Sequence, residues 1–234
     1  MKKHIPNMLT SMNLFSGSIA TVMAFQGEFL WVVVWVIIAA LFDFSDGFAA
    51  RLLKAYSPIG KELDSLADMV SFGLAPSVAV FSLLSANVYK ISDNSLVVDY
   101  LPYIAFLLAV FSALRLAKFN VDERQTESFI GLNTPANALF WVSLCYGLTY
   151  NIPSISVGLI YTLLVGIFVF SALMVSEIPM FSLKIKSLKL KGNEYRYFLA
   201  IFIIALVAYI GVLGIAGGIL LYIALSIINS RKPV

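Results

Sequence analysis

Four aspartates, Asp43, Asp46, Asp64 and Asp68, stand out in a chain with only 12% charged residues. Asp43, Asp46, Gly47, Ala50 and Arg51 fall at i, i+3, i+4, i+7 and i+8 of a helical run and share one face. Asp64 and Asp68 are expected to open the next helix, one turn apart, so two carboxylate pairs can face each other. An aspartate at mid-membrane costs about 2.5–3.5 kcal/mol on insertion scales, so four unpaired ones would cost on the order of 10 kcal/mol. Arg51 alone cannot balance them, and like charges at close range force protonation unless cations intervene. Carboxylates without neighbouring His or Cys suit a hard ion, Mg²⁺ or Mn²⁺ before Ca²⁺, and argue against a thiolate zinc site. Two such ions can clamp a diphosphate, polarise its phosphorus and stabilise a leaving phosphate in an in-line displacement. The alternative is a set of structural ion pairs on a helix hairpin. No side chain resembles a covalent nucleophile backed by a base, since His4 lies near the N-terminus and Cys145 within an apolar run.

The elements that must position these groups are membrane helices. Sixty per cent of the 234 residues are apolar and the mean hydropathy is +0.92, with hydrophobic runs along the whole length. The runs fall at about 8–25, 29–50, 65–87, 100–117, 132–150, 154–175, 197–212 and 214–229. The fold class expected is therefore an all-α integral membrane protein of about eight spans. The opening stretch carries Asn7, Thr10, Ser11, Asn13, Ser16 and Ser18, which suits an inward-facing helix rather than the apolar core of a signal peptide.

Threading eight spans gathers fifteen of the sixteen cations on one side. They are Lys2, Lys3, Arg51, Lys54, Lys61, Arg115, Lys118, Arg124, Lys184, Lys186, Lys189, Lys191, Arg196, Arg231 and Lys232; only Lys90 falls opposite. The positive-inside rule then puts both termini and the aspartates on the cytoplasmic side of the cell membrane. The segment from Lys184 to Lys191 reads as an interfacial stretch drawn to anionic headgroups, or as topology signal alone. The four glycines between Gly211 and Gly218 allow the last helix pair to pack closely. The lone Cys145 supports no disulfide framework.

Residues 43–68 read D-x2-D-G-x2-A-R-x8-G-x3-D-x3-D without a gap. This resembles the signature of the CDP-alcohol phosphatidyltransferases, with eight fixed positions over 26 residues. The resemblance implies a cytidine-diphosphate lipid substrate, CMP as leaving group, a core of six membrane helices and a homodimer. It also implies that Asp43, Asp46 and Asp64 are metal ligands and that Asp68 is both a ligand and the general base. Gly47, Arg51, Ala50 and Gly60, as signature positions, go with binding of CDP-diacylglycerol, Arg51 at the diphosphate. Ser57 matches a position that contacts the nucleotide, or is simply a loop residue before Pro58. The run Ile5 to Thr10 is similar to the family's opening element near the cytidine, although Asn7 and Thr10 could equally cap the first helix.

The segments Asp68 to Ser77, Ala113 to Asn120 and Phe129 to Pro135 resemble the serine-using branch of the family, with Asn133 where that branch often has Pro. That implies L-serine as acceptor. Its carboxylate needs a cation, and Arg115 with Asn120 is the expected site, unless Arg115 and Lys118 are only membrane anchors. Glycerol 3-phosphate is the alternative acceptor, and a metal-ion transporter the alternative class. Membrane lipids are expected partners and nucleic acid is not. The resemblance covers residues 5 to about 175. Residues 1–175 are thus expected to form the catalytic core, and 176–234 a basic loop with a C-terminal helix pair.

Overall fold

Backbone groups in lipid must find their hydrogen bonds within the protein, and apolar runs of this length do so as helices. The computed structural model of the chain describes residues 4–91, 94–122, 129–180 and 193–230. Among these stand eight long helices: α1 (His4–Phe25), α2 (Phe29–Leu52), α3 (Pro58–Ser85), α4 (Ser95–Val121), α5 (Thr134–Tyr150), α6 (Val157–Val175), α7 (Glu194–Ile210) and α8 (Leu213–Ser230). Five of them, α1 to α4 and α6, are long and apolar enough to cross a membrane. The chain is an all-α, multi-pass membrane protein.

Several helix starts differ from the sequence reading. The third helix does not open at Asp64 but at Pro58, about two turns earlier. Ser57 caps it, its hydroxyl accepting from the Gly60 N–H at 3.0 Å, and Pro58 sits where a missing N–H costs nothing. The polar residues Lys61, Glu62 and Asp64 had masked this turn from a reading based on apolar runs. α1 is already helical at His4, so Asn7 and Thr10 lie inside it and are not its caps. α4 begins at Ser95, capped by Asn94, and passes through a 3₁₀ stretch at Leu101–Phe106 that contains Pro102.

α3 is not regular throughout. Directly after Asp68 it widens into a π-helical turn over Met69–Leu74 before resuming the α form at Ala75. Pro76 explains the widening, because its ring would clash with the carbonyl one α-turn back and it offers no N–H. Ser77 Oγ donates to the Gly73 carbonyl at 2.6 Å, one turn back along the helix.

α1 packs against both α2 and α3. Its buried face runs Pro6, Thr10, Asn13, Ser16, Gly17, Ala20 and Ala24, so three of the expected inward polar residues do face the bundle. Ser11 and Ser18 point outward and donate to carbonyls one turn back. Two short strands, β1 (Phe129–Ile130) and β2 (Pro179–Met180), pair antiparallel. Gly131, at φ 74°, follows β1, and a Cβ there would lie 2.6 Å from the Met174 carbonyl. This seats the entry to α5 on the end of α6. At the opposite end of α3, Lys90 Nζ donates to Asn87 Oδ1 at 2.9 Å and to the Ile155 carbonyl at 3.1 Å, joining two loops. Lys2, Lys3, Arg124, the segment Lys184 to Lys191, Arg231 and Lys232 lie outside the described residues.

Candidate active site

The last turns of α2 and the second and third turns of α3 bring three carboxylates together. Asp43, Asp64 and Asp68 each offer an oxygen, and these atoms all lie within 4.8 Å of one another. Among the described residues, no lysine or arginine forms an ion pair with any of them. Among the described residues, one oxygen of Asp64, Oδ1, is buried without a hydrogen-bond partner. Converging hard oxygen donors, with a buried carboxylate oxygen left unsatisfied, fit a divalent cation.

Asp46 stands apart from this group. It is buried, and Thr10 Oγ1 approaches its Oδ2 at 2.5 Å. The same hydroxyl lies 3.0 Å from the Pro6 carbonyl, and its single proton can serve one acceptor at a time. Asp68 is tied to α1 as well: Asn13 Nδ2 donates to its Oδ1 at 3.1 Å. Asn13 is fully buried, and its backbone carbonyl accepts from Ser71 Oγ at 3.0 Å. A Cβ on Gly17 would collide with Ser71, so the glycine is what lets α1 approach the π turn closely.

Two cavities meet at the aspartates. The first, about 540 Å³, is lined by Asn7, Thr10, Asp46, Gly47, Ser57 and Lys61 among others, with Ala50 and Gly60 also in its wall. Beyond its own helix turn, no atom of the described residues lies within 4 Å of where a Cβ on Gly47 would stand, so that face of α2 opens onto space. A Cβ on Gly60 would meet Asn7 Oδ1 and Ser57 Oγ at 3.0 Å each. The second cavity, about 410 Å³, is lined by Asp43, Asp68, Arg115, Asn120, Asn133 and Thr134 among others. Asp64 belongs to both walls.

Arg115 is 6% exposed, its Nε has no hydrogen-bond partner among the described residues, and its guanidinium stands 5.6 Å from the Phe119 ring. Asn120 donates through Nδ2 to Ser65 Oγ at 2.8 Å, and its carbonyl accepts from Lys61 Nζ at 2.8 Å. It therefore clamps α4 to α3 at the rim of the second cavity. Lys118 pairs with Glu177 and does not face the aspartates. Arg51 lines neither cavity: exposed at the end of α2, it donates from Nε to the Gly47 carbonyl at 3.0 Å. Asn13, Lys61 and Thr134 were missed as site residues. Asn13 shares the face of Pro6, Thr10 and Gly17, and Lys61 adjoins Gly60 in the signature, so both could have been found from spacing.

A carboxylate cluster suited to a divalent cation, set between two cavities at one end of a helical membrane bundle, defines an integral membrane group-transfer enzyme. Residues 3–181 match the sequence model for CDP-alcohol phosphatidyltransferase, and the chain belongs to that family. It is 34% identical over 159 residues to the CDP-diacylglycerol–serine O-phosphatidyltransferase of Bacillus subtilis, covering 66% of this chain and 81% of the relative. It is 30% identical over 175 residues to the protein of the same name from Methanocaldococcus jannaschii, covering 75% of each. It is also 31% identical over 137 residues to the archaetidylserine synthase of Methanothermobacter thermautotrophicus, where it spans 54% of the relative and 58% of itself is matched.

Proposed function

We propose that this protein transfers the phosphatidyl group of CDP-diacylglycerol to L-serine, giving phosphatidylserine and CMP. The observation that carries the reading is the meeting of two cavities at the aspartates, with one buried arginine in the second. A nucleotide-lipid donor takes the first cavity and a small anionic alcohol the second, so donor phosphorus and acceptor hydroxyl meet at the cluster. The names borne by the relatives support serine as that alcohol.

In the first cavity Asn7, Thr10 and Ser57 offer polar contacts to the cytidine, and Gly47, Ala50 and Gly60 let the diphosphate approach the backbone. Arg51, one turn beyond Gly47, reaches the diphosphate only by leaving its bond to the Gly47 carbonyl. In the second cavity Arg115 holds the serine carboxylate, and Asn120 fixes the rim. Asp68 Oδ2 accepts the proton of the serine hydroxyl as its oxygen bonds to the β-phosphorus, while Oδ1 stays on Asn13. The bond from that phosphorus to the CMP oxygen breaks, and CMP leaves with the electron pair. Asp43, Asp46, Asp64 and Asp68 would hold Mg²⁺ or Mn²⁺, which supplies charge neutralisation and Lewis acidity at the phosphate when bound.

Glycerol 3-phosphate, a dianion, would want several cations in the second cavity. Among the described residues Arg115 is the lysine or arginine that lines that cavity, and Lys118 is engaged by Glu177, which favours serine. The positive-inside distribution of lysine and arginine supports an active site and termini on the cytoplasmic side of the cell membrane. We further assign residues 1–175 as the catalytic core, 176–234 as an appended segment, and a homodimer as the working unit. CMP release by the purified protein from CDP-diacylglycerol, with L-serine, glycerol 3-phosphate or inositol and Mg²⁺ or Mn²⁺, tests the reading. Serine-dependent release that Asp68→Asn abolishes is expected; release with another acceptor alone overturns the substrate.

A further inference from the structure

The match to the family ends at residue 181, before α7 and α8 begin. Yet α8 returns to the catalytic half of the molecule. Ile219 lines the second cavity together with Arg115 and Thr134.

The helix is held in that place from two sides. Where it starts, a Cβ on Gly147 of α5 would come within 2.5 Å of Leu213. On its other flank, a Cβ on Gly214 would lie 2.5 Å from the backbone of Leu206 in α7, and one on Gly218 would run into Ile203. Backbone contact of this closeness leaves α8 little freedom to slide or rotate, so the Ile219 side chain projects from a fixed position. A fixed apolar side chain in the wall of a cavity limits the size of the small ligand that fits there.

We propose that α8 completes the wall of the acceptor cavity, with Ile219 setting the size of alcohol admitted. This rests on the reading of the second cavity as the acceptor site. It gives a helix outside the family's shared region a part in acceptor choice beside Arg115, while the donor is handled by the shared signature.

Steady-state CMP release by the full-length protein tests it with two variants, each checked for folding by gel filtration in detergent. Ile219→Trp should raise the serine KM about tenfold or more and leave the KM for CDP-diacylglycerol unchanged. Ile219→Ala should improve kcat/KM for L-threonine relative to L-serine by about tenfold, since threonine adds one methyl. Should the wild type use a different alcohol, the serine reading fails, and Ile219→Trp must then raise the KM of that alcohol. Folded variants that leave the acceptor KM unaltered, or that raise both substrates' KM equally, overturn the proposal.

Discussion

Asn13 Nδ2 donates to Asp68 Oδ1 at 3.1 Å, fastening the carboxylate assigned as base on α3 to a fully buried amide on α1. With one oxygen held, the other is left to take the acceptor's proton. A hydrogen bond to a charged group contributes about 1.5–3 kcal/mol. Asn13→Leu, close in volume, should therefore lower kcat about ten- to a hundredfold. The KM for CDP-diacylglycerol should stay the same, because Asn13 does not line the donor cavity. Initial rates over a range of donor concentrations separate the two effects.

Removal of divalent metal should abolish turnover. Asp43, Asp64 and Asp68 sit within 4.8 Å of one another with no lysine or arginine ion-paired to them among the described residues. After chelation with EDTA, CMP release should fall to background and return on titration with Mn²⁺ or Mg²⁺ but not with a monovalent ion. Calorimetric titration of the metal-free protein should show binding that Asp43→Asn weakens.

Gly47 borders open space in the donor cavity. Gly47→Ala puts a methyl there without touching the protein, so folding should be unaffected while the KM for CDP-diacylglycerol rises. One misplaced methyl in a pocket is worth about tenfold or more, and the serine KM, measured at saturating donor, should not follow it.

Arg115 is the cation that the second cavity offers to a carboxylate. Arg115→Leu should raise the serine KM at least tenfold more than it raises that for the lipid. Kinetics with ethanolamine, which lacks the carboxylate, should be far less sensitive to the substitution. An unaltered serine KM would sink the assignment.

Gly17→Ala tests packing rather than chemistry. The new methyl would meet Ser71, whose Cα lies 2.6 Å from the position it would take. Overpacking of this kind costs about 1–3 kcal/mol, and a lowered Tm in detergent should reveal it. Ser71→Ala should not rescue the variant, since the clash includes backbone.

The eight long helices among the described residues and the meeting of Asp43, Asp64 and Asp68 were legible because each rests on a strict local pattern: apolar length in one case, fixed spacing in the other. The start of α3 was not, since its first two turns are polar and only the Ser57-Pro58 cap announces them. Asn13 was legible as an inward-facing polar residue, but its partner was not, since Asp68 lies 55 positions away. The place of Arg51 in the signature suggested a diphosphate contact, but nothing in the sequence announced the bond its Nε gives to the Gly47 carbonyl. The β1–β2 pair joins residues far apart in sequence and carries no periodic signal in segments of two residues each.

The π turn at Met69–Leu74 makes α3 two helices in phase terms. Each residue of an α-helix advances about 100°, so one residue absorbed in a wider turn rotates everything beyond it by about that angle. Asp64 and Asp68 can thus face the cavities while Ala75, Val78 and Ala79, after the turn, keep their own buried face in the bundle. A chain shortened by one residue between 69 and 74 would have to choose, keeping either its aspartates in register or its packing, and the bulge is what spares it that choice.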